Sequence, residues 1–116
     1  MKTYEGSCHC GKVTFSVETD LAMTATCNCS YCSRGGFIWT FVKDPQFTLK
    51  SGSDEQTVYQ FNKKIIDHRF CKTCGVQCYG QGKDEKGEGT VAVNLRCIQD
   101  LDLSILKPIE FNGKEL

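Results

Sequence analysis

The sequence carries no excess charge of either sign: fourteen Lys and Arg stand against fourteen Asp and Glu. Its longest basic run is the pair Lys63–Lys64. A sequence-independent nucleic-acid binder needs a basic footprint to neutralise phosphates, so this balance excludes that class. Long apolar runs are also missing. Nothing approaches the roughly 20 consecutive apolar residues that span a bilayer. The opening MKTYEGSCHC has no apolar stretch of the kind a secretory signal needs. A reducing, cytoplasmic setting is therefore expected. Helical periodicity is the third absence: at most a turn or two of helix is expected, after Cys32 and around 98–103.

Short strands are present instead. In KVTFSVE (12–18), Val13, Phe15 and Val17 share one face and polar residues the other, the pattern of a half-buried strand. FIWTFV (37–42) is continuously apolar and reads as a strand buried on both faces. QFTLK (46–50) and TVYQF (57–61) flank SGSDE, a turn. KIIDHRF (64–70) alternates, with Ile66, His68 and Phe70 on one side. KDEKGEG (83–89) is a polar loop. TVAVNLRC (90–97) alternates again, with Val91, Val93, Leu95 and Cys97 on one face. With 116 residues and no linker or low-complexity tract, the expectation is one mainly β domain, 1–116, built from antiparallel sheet with little helix.

Cysteine is abundant, at nine residues. An odd number without an export signal opposes a disulfide framework and favours metal binding. Seven fall into clusters: Cys8 and Cys10 in SCHCG, Cys27, Cys29 and Cys32 in CNCSYC, Cys71 and Cys74 in FCKTCG. Structural zinc takes four tetrahedral ligands, so two close pairs brought together complete one site. Gly11 and Gly75 follow the outer pairs, where glycine permits the positive φ of a metal-binding knuckle. Spacing does not say which clusters combine. If the outer pairs close one site, the middle cluster keeps three ligands and an open fourth position, the mark of a catalytic zinc. Its alternatives are a second closed site completed by Cys78 or His68, or a redox thiol cluster. Cys97 is expected as a core thiol, Cys78 as packing, and His9 as exposed.

The order SCHCG, CNCSYC, FCKTCG and VAVNLRC resembles the glutathione-dependent formaldehyde-activating enzyme family, also called S-(hydroxymethyl)glutathione synthase or aldehyde-activating. The resemblance runs from about Gly6 to about Phe111. It implies a zinc-bearing, mainly antiparallel "β-tent". It also implies two Zn²⁺: a structural one on Cys8, Cys10, Cys71 and Cys74, and a catalytic one on Cys27, Cys29 and Cys32. Asn28 stands where many relatives have His.

The activity implied is that of a carbon–sulfur lyase or synthase joining a small, glutathione-like thiol to a formaldehyde-like aldehyde. The developing alkoxide needs a proton source, and His68 is the titratable candidate near neutral pH; its alternative is a packed histidine beside Cys71. Arg34 is the candidate clamp for a thiol substrate's carboxylate, ahead of Arg69 and Arg96. Trp39 and Phe41 share a strand face and read first as core, second as an aldehyde pocket wall. The competing class is a non-catalytic, zinc-stabilised protein-interaction module. The oligomeric state is open.

Overall fold

The computed structural model describes residues 1–61 and 66–115. Among these residues, ten strands form two sheets. The smaller contains β1 (Lys2–Ser7), β2 (Thr14–Thr19) and β5 (Phe47–Ser51), in the order β1-β2-β5. The larger contains β3 (Ala25–Cys27), β4 (Trp39–Lys43), β6 (Gln56–Tyr59), β7 (Asp67–Cys71), β8 (Gln77–Lys83), β9 (Gly89–Asn94) and β10 (Ile109–Phe111). Its order is β10-β3-β4-β9-β8-β7-β6. Every described pairing between strands is antiparallel except β10 with β3, which is parallel. One short helix, α1 (Ser30–Gly35), follows β3. The fold is thus mainly β with antiparallel sheets, as expected. No helix among the described residues is long and apolar enough to cross a membrane.

The alternation in β2 does what its period demands. Val13, Phe15 and Val17 are buried, Phe15 completely, with Val91, Val93 and Leu95 in the same core. Phe47 of β5 stacks on Phe15 at 5.3 Å between ring centroids and meets Tyr79 of β8 at 4.5 Å, so one ring ties the small sheet to the large one.

Three expectations change. The 37–42 run forms β4, but Phe41 is 50% exposed, so only one face of this strand enters the core. The strand expected to reach Cys97 stops at Asn94. There the Asn94 side chain accepts a hydrogen bond from the Arg96 N–H (3.1 Å) and caps a 3₁₀ turn over Leu95–Cys97. Such a local side-chain bond offers the backbone an alternative to the ladder. Leu95 stays buried while Cys97 turns to half-buried, with its thiol 3.8 Å from the Gln77 carbonyl. The helix starts at Ser30, before Cys32 rather than after it, because Cys29 caps it. Lys63, and the first two residues of the strand expected over 64–70, lie outside the described residues; Ile66 stays outside the sheet and the strand begins at Asp67, as β7.

Truncating Phe15 to Ala should cost about 3–5 kcal/mol, the usual cost for a fully buried ring. Denaturant unfolding should show this as a lower midpoint at unchanged slope.

Candidate functional site

Seven cysteines gather into two groups. Cys8, Cys10, Cys71 and Cys74 place their sulfurs within 4.8 Å of one another, and so do Cys27, Cys29 and Cys32. Each outer pair sits on a loop of the same design. The Cys8 N–H donates to Val13 O and the Cys71 N–H to Val76 O, both at 3.0 Å, closing six-residue loops. Within them Gly11 and Gly75 have φ of +84° and +81°, as expected of knuckles. Backbone N–H groups point at sulfur: Val13 N–H at Cys8 Sγ (3.3 Å) and Cys74 N–H at Cys71 Sγ (3.5 Å). Burial opposes ionisation of Cys74, but hydrogen bonds from the Val76 and Cys10 N–H groups and from Cys71 and Cys8 overcome it and bring its pKa down to about 6. Four thiols with amide donors suit a closed thiolate metal site.

The middle group is built differently. Cys27 ends β3, Cys29 caps α1 and accepts from the Cys32 N–H (3.2 Å), and Cys32 is buried in the helix. At Cys29 burial works against the thiolate, yet hydrogen bonds from Cys32 and Cys27 hold the pKa below its ordinary value. At Cys32 burial pushes the thiol up. Neither Cys78 nor His68 belongs to this group. Cys78 instead lies in the core with Cys8 and Cys71, which removes it as a closing ligand. His9 is exposed.

The three thiols open onto a cavity of about 290 Å³, also lined by Trp39, Phe41, Phe61, Ile66, His68, Phe111 and Gly113. Trp39 and Phe41 thus both line this cavity, and Trp39 is buried as well.

His68 is buried between Tyr31 (ring centroids 4.5 Å apart) and Phe61 (5.2 Å). Its Nδ1 lies 3.1 Å from Gln77 Nε2. The roles in that bond follow from Gln77's other partners. Its Oε1 accepts from the Tyr31 hydroxyl and its Nε2 donates to Tyr79 O (3.2 Å). The second amide hydrogen is left for His68 Nδ1, which must accept. Burial raises the Tyr31 pKa and keeps that hydroxyl protonated. Burial lowers the His68 pKa, against a smaller opposing effect of Asp67. The ring is thus neutral, with its hydrogen on Nε2.

The arginines stand elsewhere. Arg34 is exposed in the last turn of α1 and donates to Ser30 O at 2.7 Å. Arg96 Nε donates to Gly36 O (2.8 Å) and Arg69 Nε to Gln81 Oε1 (2.7 Å). None of the three lines the thiol cavity. Asn94 is buried and donates to Gln77 O (2.8 Å), so it supports Gln77 from behind.

Sequence reasoning missed the segment after Phe111. Asn28 anchors it: its Nδ2 donates to Asn112 Oδ1 (2.9 Å) and its Oδ1 accepts from Lys114 N (3.0 Å). That brings Gly113 so close to the triplet that a Cβ there would lie 2.4 Å from Cys27 Sγ. No motif in FNGKE signals this contact. The glycine fits sulfur packed hard against backbone.

Residues 3–110, the stretch that carries all seven of these thiols, match the family model of the glutathione-dependent formaldehyde-activating enzyme. The chain belongs to that family. It is also similar to a Rhodobacter sphaeroides protein of known crystal structure, with a TM-score of 0.81 at 26% identity, covering 92% of this chain and 99% of that one. The family's name couples formaldehyde activation to glutathione. Phe111 and Gly113 lie beyond the matched residues.

Replacing Gly113 with Ala should push Cys27 out of place. In protein loaded with zinc, metal analysis should then show weaker retention at the triplet than at the four-thiol group, and thermal unfolding should move little.

Proposed function

We propose that this protein is a zinc-dependent carbon–sulfur lyase or synthase that joins a small thiol to an aldehyde and, in reverse, splits the product. The observation that carries this reading is a three-thiol group open on a cavity, beside a separate four-thiol group. Cys8, Cys10, Cys71 and Cys74 would hold a structural Zn²⁺; Cys27, Cys29 and Cys32 would hold a second. Zinc held by these three thiols would supply the acidity for a substrate thiol to lose its proton near neutral pH.

The chain's own residues then govern the carbonyl. The thiol's sulfur pair forms the new carbon–sulfur bond, the carbonyl π pair moves onto oxygen, and the proton given up by the thiol ends on that oxygen. His68 has no proton on Nδ1 and is not cationic. It therefore stabilises the developing alkoxide by a hydrogen bond from Nε2–H rather than by full proton transfer, and a neutral imidazole suits that role. Gln77, fixed by Tyr31, Tyr79 and Asn94, keeps the ring in the tautomer that presents this hydrogen. The apolar walls lower the local dielectric, which strengthens such a bond. Arg34, on the helix that follows Cys29, would meet a carboxylate of the thiol outside the cavity.

The deciding experiment is metal substitution. With cobalt in place of zinc, a small thiol should perturb the visible spectrum and the same preparation should catalyse thiol–aldehyde addition. A spectrum indifferent to thiol, with no catalysis, would mean two closed sites and a zinc-stabilised interaction module instead. Gln77→Leu should lower kcat on the order of tenfold with KM little changed: the Nε2–H donor survives in part of the population, so the loss is smaller than the roughly 10²–10³-fold of removing such a donor outright. The ¹⁵N shifts of His68 should report a mixture of tautomers in that variant.

A further inference from the structure

The walls of the thiol cavity are aromatic and aliphatic. Trp39 and Phe41 come from one face of β4, Phe61 and Ile66 from the two ends of the β6–β7 connection, Ala92 from β9 and Phe111 from β10. No described lining residue carries a formal charge. Phe41 and Phe111 are each 50% exposed and Ile66 45%. Apolar side chains left facing solvent around a concave site, with only a few polar groups among them, fit a ligand whose own surface is apolar. Size points the same way. A cavity of about 150 Å³ is enough for benzene, and this one is about 290 Å³. Formaldehyde has only two heavy atoms and would touch a small part of these walls.

We infer that the carbonyl substrate of this site is an aromatic or branched aliphatic aldehyde, an inference that rests on the carbon–sulfur reading above. Its ring or branched chain packs between Trp39, Phe41 and Phe111, with the carbonyl beside His68 and the thiol sulfur at the triplet. Charged parts of the thiol remain at the cavity mouth in water, where they keep their hydration. The bond changes are those already given: one carbon–sulfur bond forms, the π pair goes to oxygen, and the thiol's proton follows it.

Trp39 is the chain's single tryptophan, so occupancy of the cavity has its own optical signal, separate from turnover. Zinc-loaded protein is titrated with benzyl alcohol, an unreactive aromatic probe, while tryptophan fluorescence is followed. In parallel, glutathione is offered formaldehyde, isobutyraldehyde and benzaldehyde, and each catalysed rate is divided by the spontaneous one. A saturable fluorescence change is expected, with a rate ratio at least about tenfold higher for benzaldehyde than for formaldehyde, since even one methylene in an apolar pocket is worth about that. Phe111→Ala should weaken benzyl alcohol binding about tenfold without lowering the unfolding temperature, because the ring is half exposed. A ratio greatest for formaldehyde, with no response to benzyl alcohol, overturns the inference and leaves the carbon–sulfur reading standing. Saturable binding without turnover of any aldehyde overturns that reading and the substrate class with it. Fluorescence that changes on dilution alone, and not with benzyl alcohol, would make this face a contact between copies and also overturns the inference.

Discussion

Cys8 and Cys10 lie on the loop that joins β1 to β2 in the three-stranded sheet; Cys71 ends β7 and Cys74 lies on the connection to β8 in the seven-stranded one. Their four sulfurs meet within 4.8 Å, so the two sheets are tied at one point as well as through Phe47. The tie sets the site. His68 precedes Cys71 by three residues on β7, and Gln77 follows Cys74 by three on β8. The bond that fixes the His68 tautomer spans the two strands leaving the knuckle. The four-thiol group therefore braces the two strands that carry the cavity histidine and its amide partner, and a metal ion held there would add to that bracing.

Alternation along β7 separates two environments. His68 faces the thiol cavity, whereas its neighbour Arg69 faces a cleft lined by Phe47, Gln56, Tyr79 and Gln81. Successive side chains of a strand point to opposite faces. That simple period explains why the arginine adjacent in sequence to the site histidine plays no part at the triplet. It also explains why Phe41 is half exposed beside buried Val42: the cavity takes one face of β4 and the core takes the other.

Sequence legibility followed the strength of local constraints. The knuckles were readable because a short thiol spacing followed by glycine leaves few alternatives, and the φ values of Gly11 and Gly75 agree. The alternation of Val13, Phe15 and Val17 was readable because one face must be buried. Other features were hidden. β8, QCYGQGK, alternates poorly, since Gly80 and Gly82 have no side chains to show a face. β3 and β10 are three residues each, too short for a period. The end of β9 depends on one Asn94 side-chain bond, and propensity carries no sign of it. The contact of Gly113 with Cys27 joins residues 86 positions apart (113 − 27), and only tertiary structure brings them together. The roles of Gln77 and Asn28 are of the same kind: each amide matters through partners far away in the chain.

The pairing of β10 with β3 leaves Phe111 on a separable wall. β10 is an edge strand of the seven-stranded sheet, held to it through three residue pairs. None of the four outer thiols lies on it. Edge elements with few buried contacts open at lower free energy than the core, so this side of the cavity can loosen while the two sheets stay clasped.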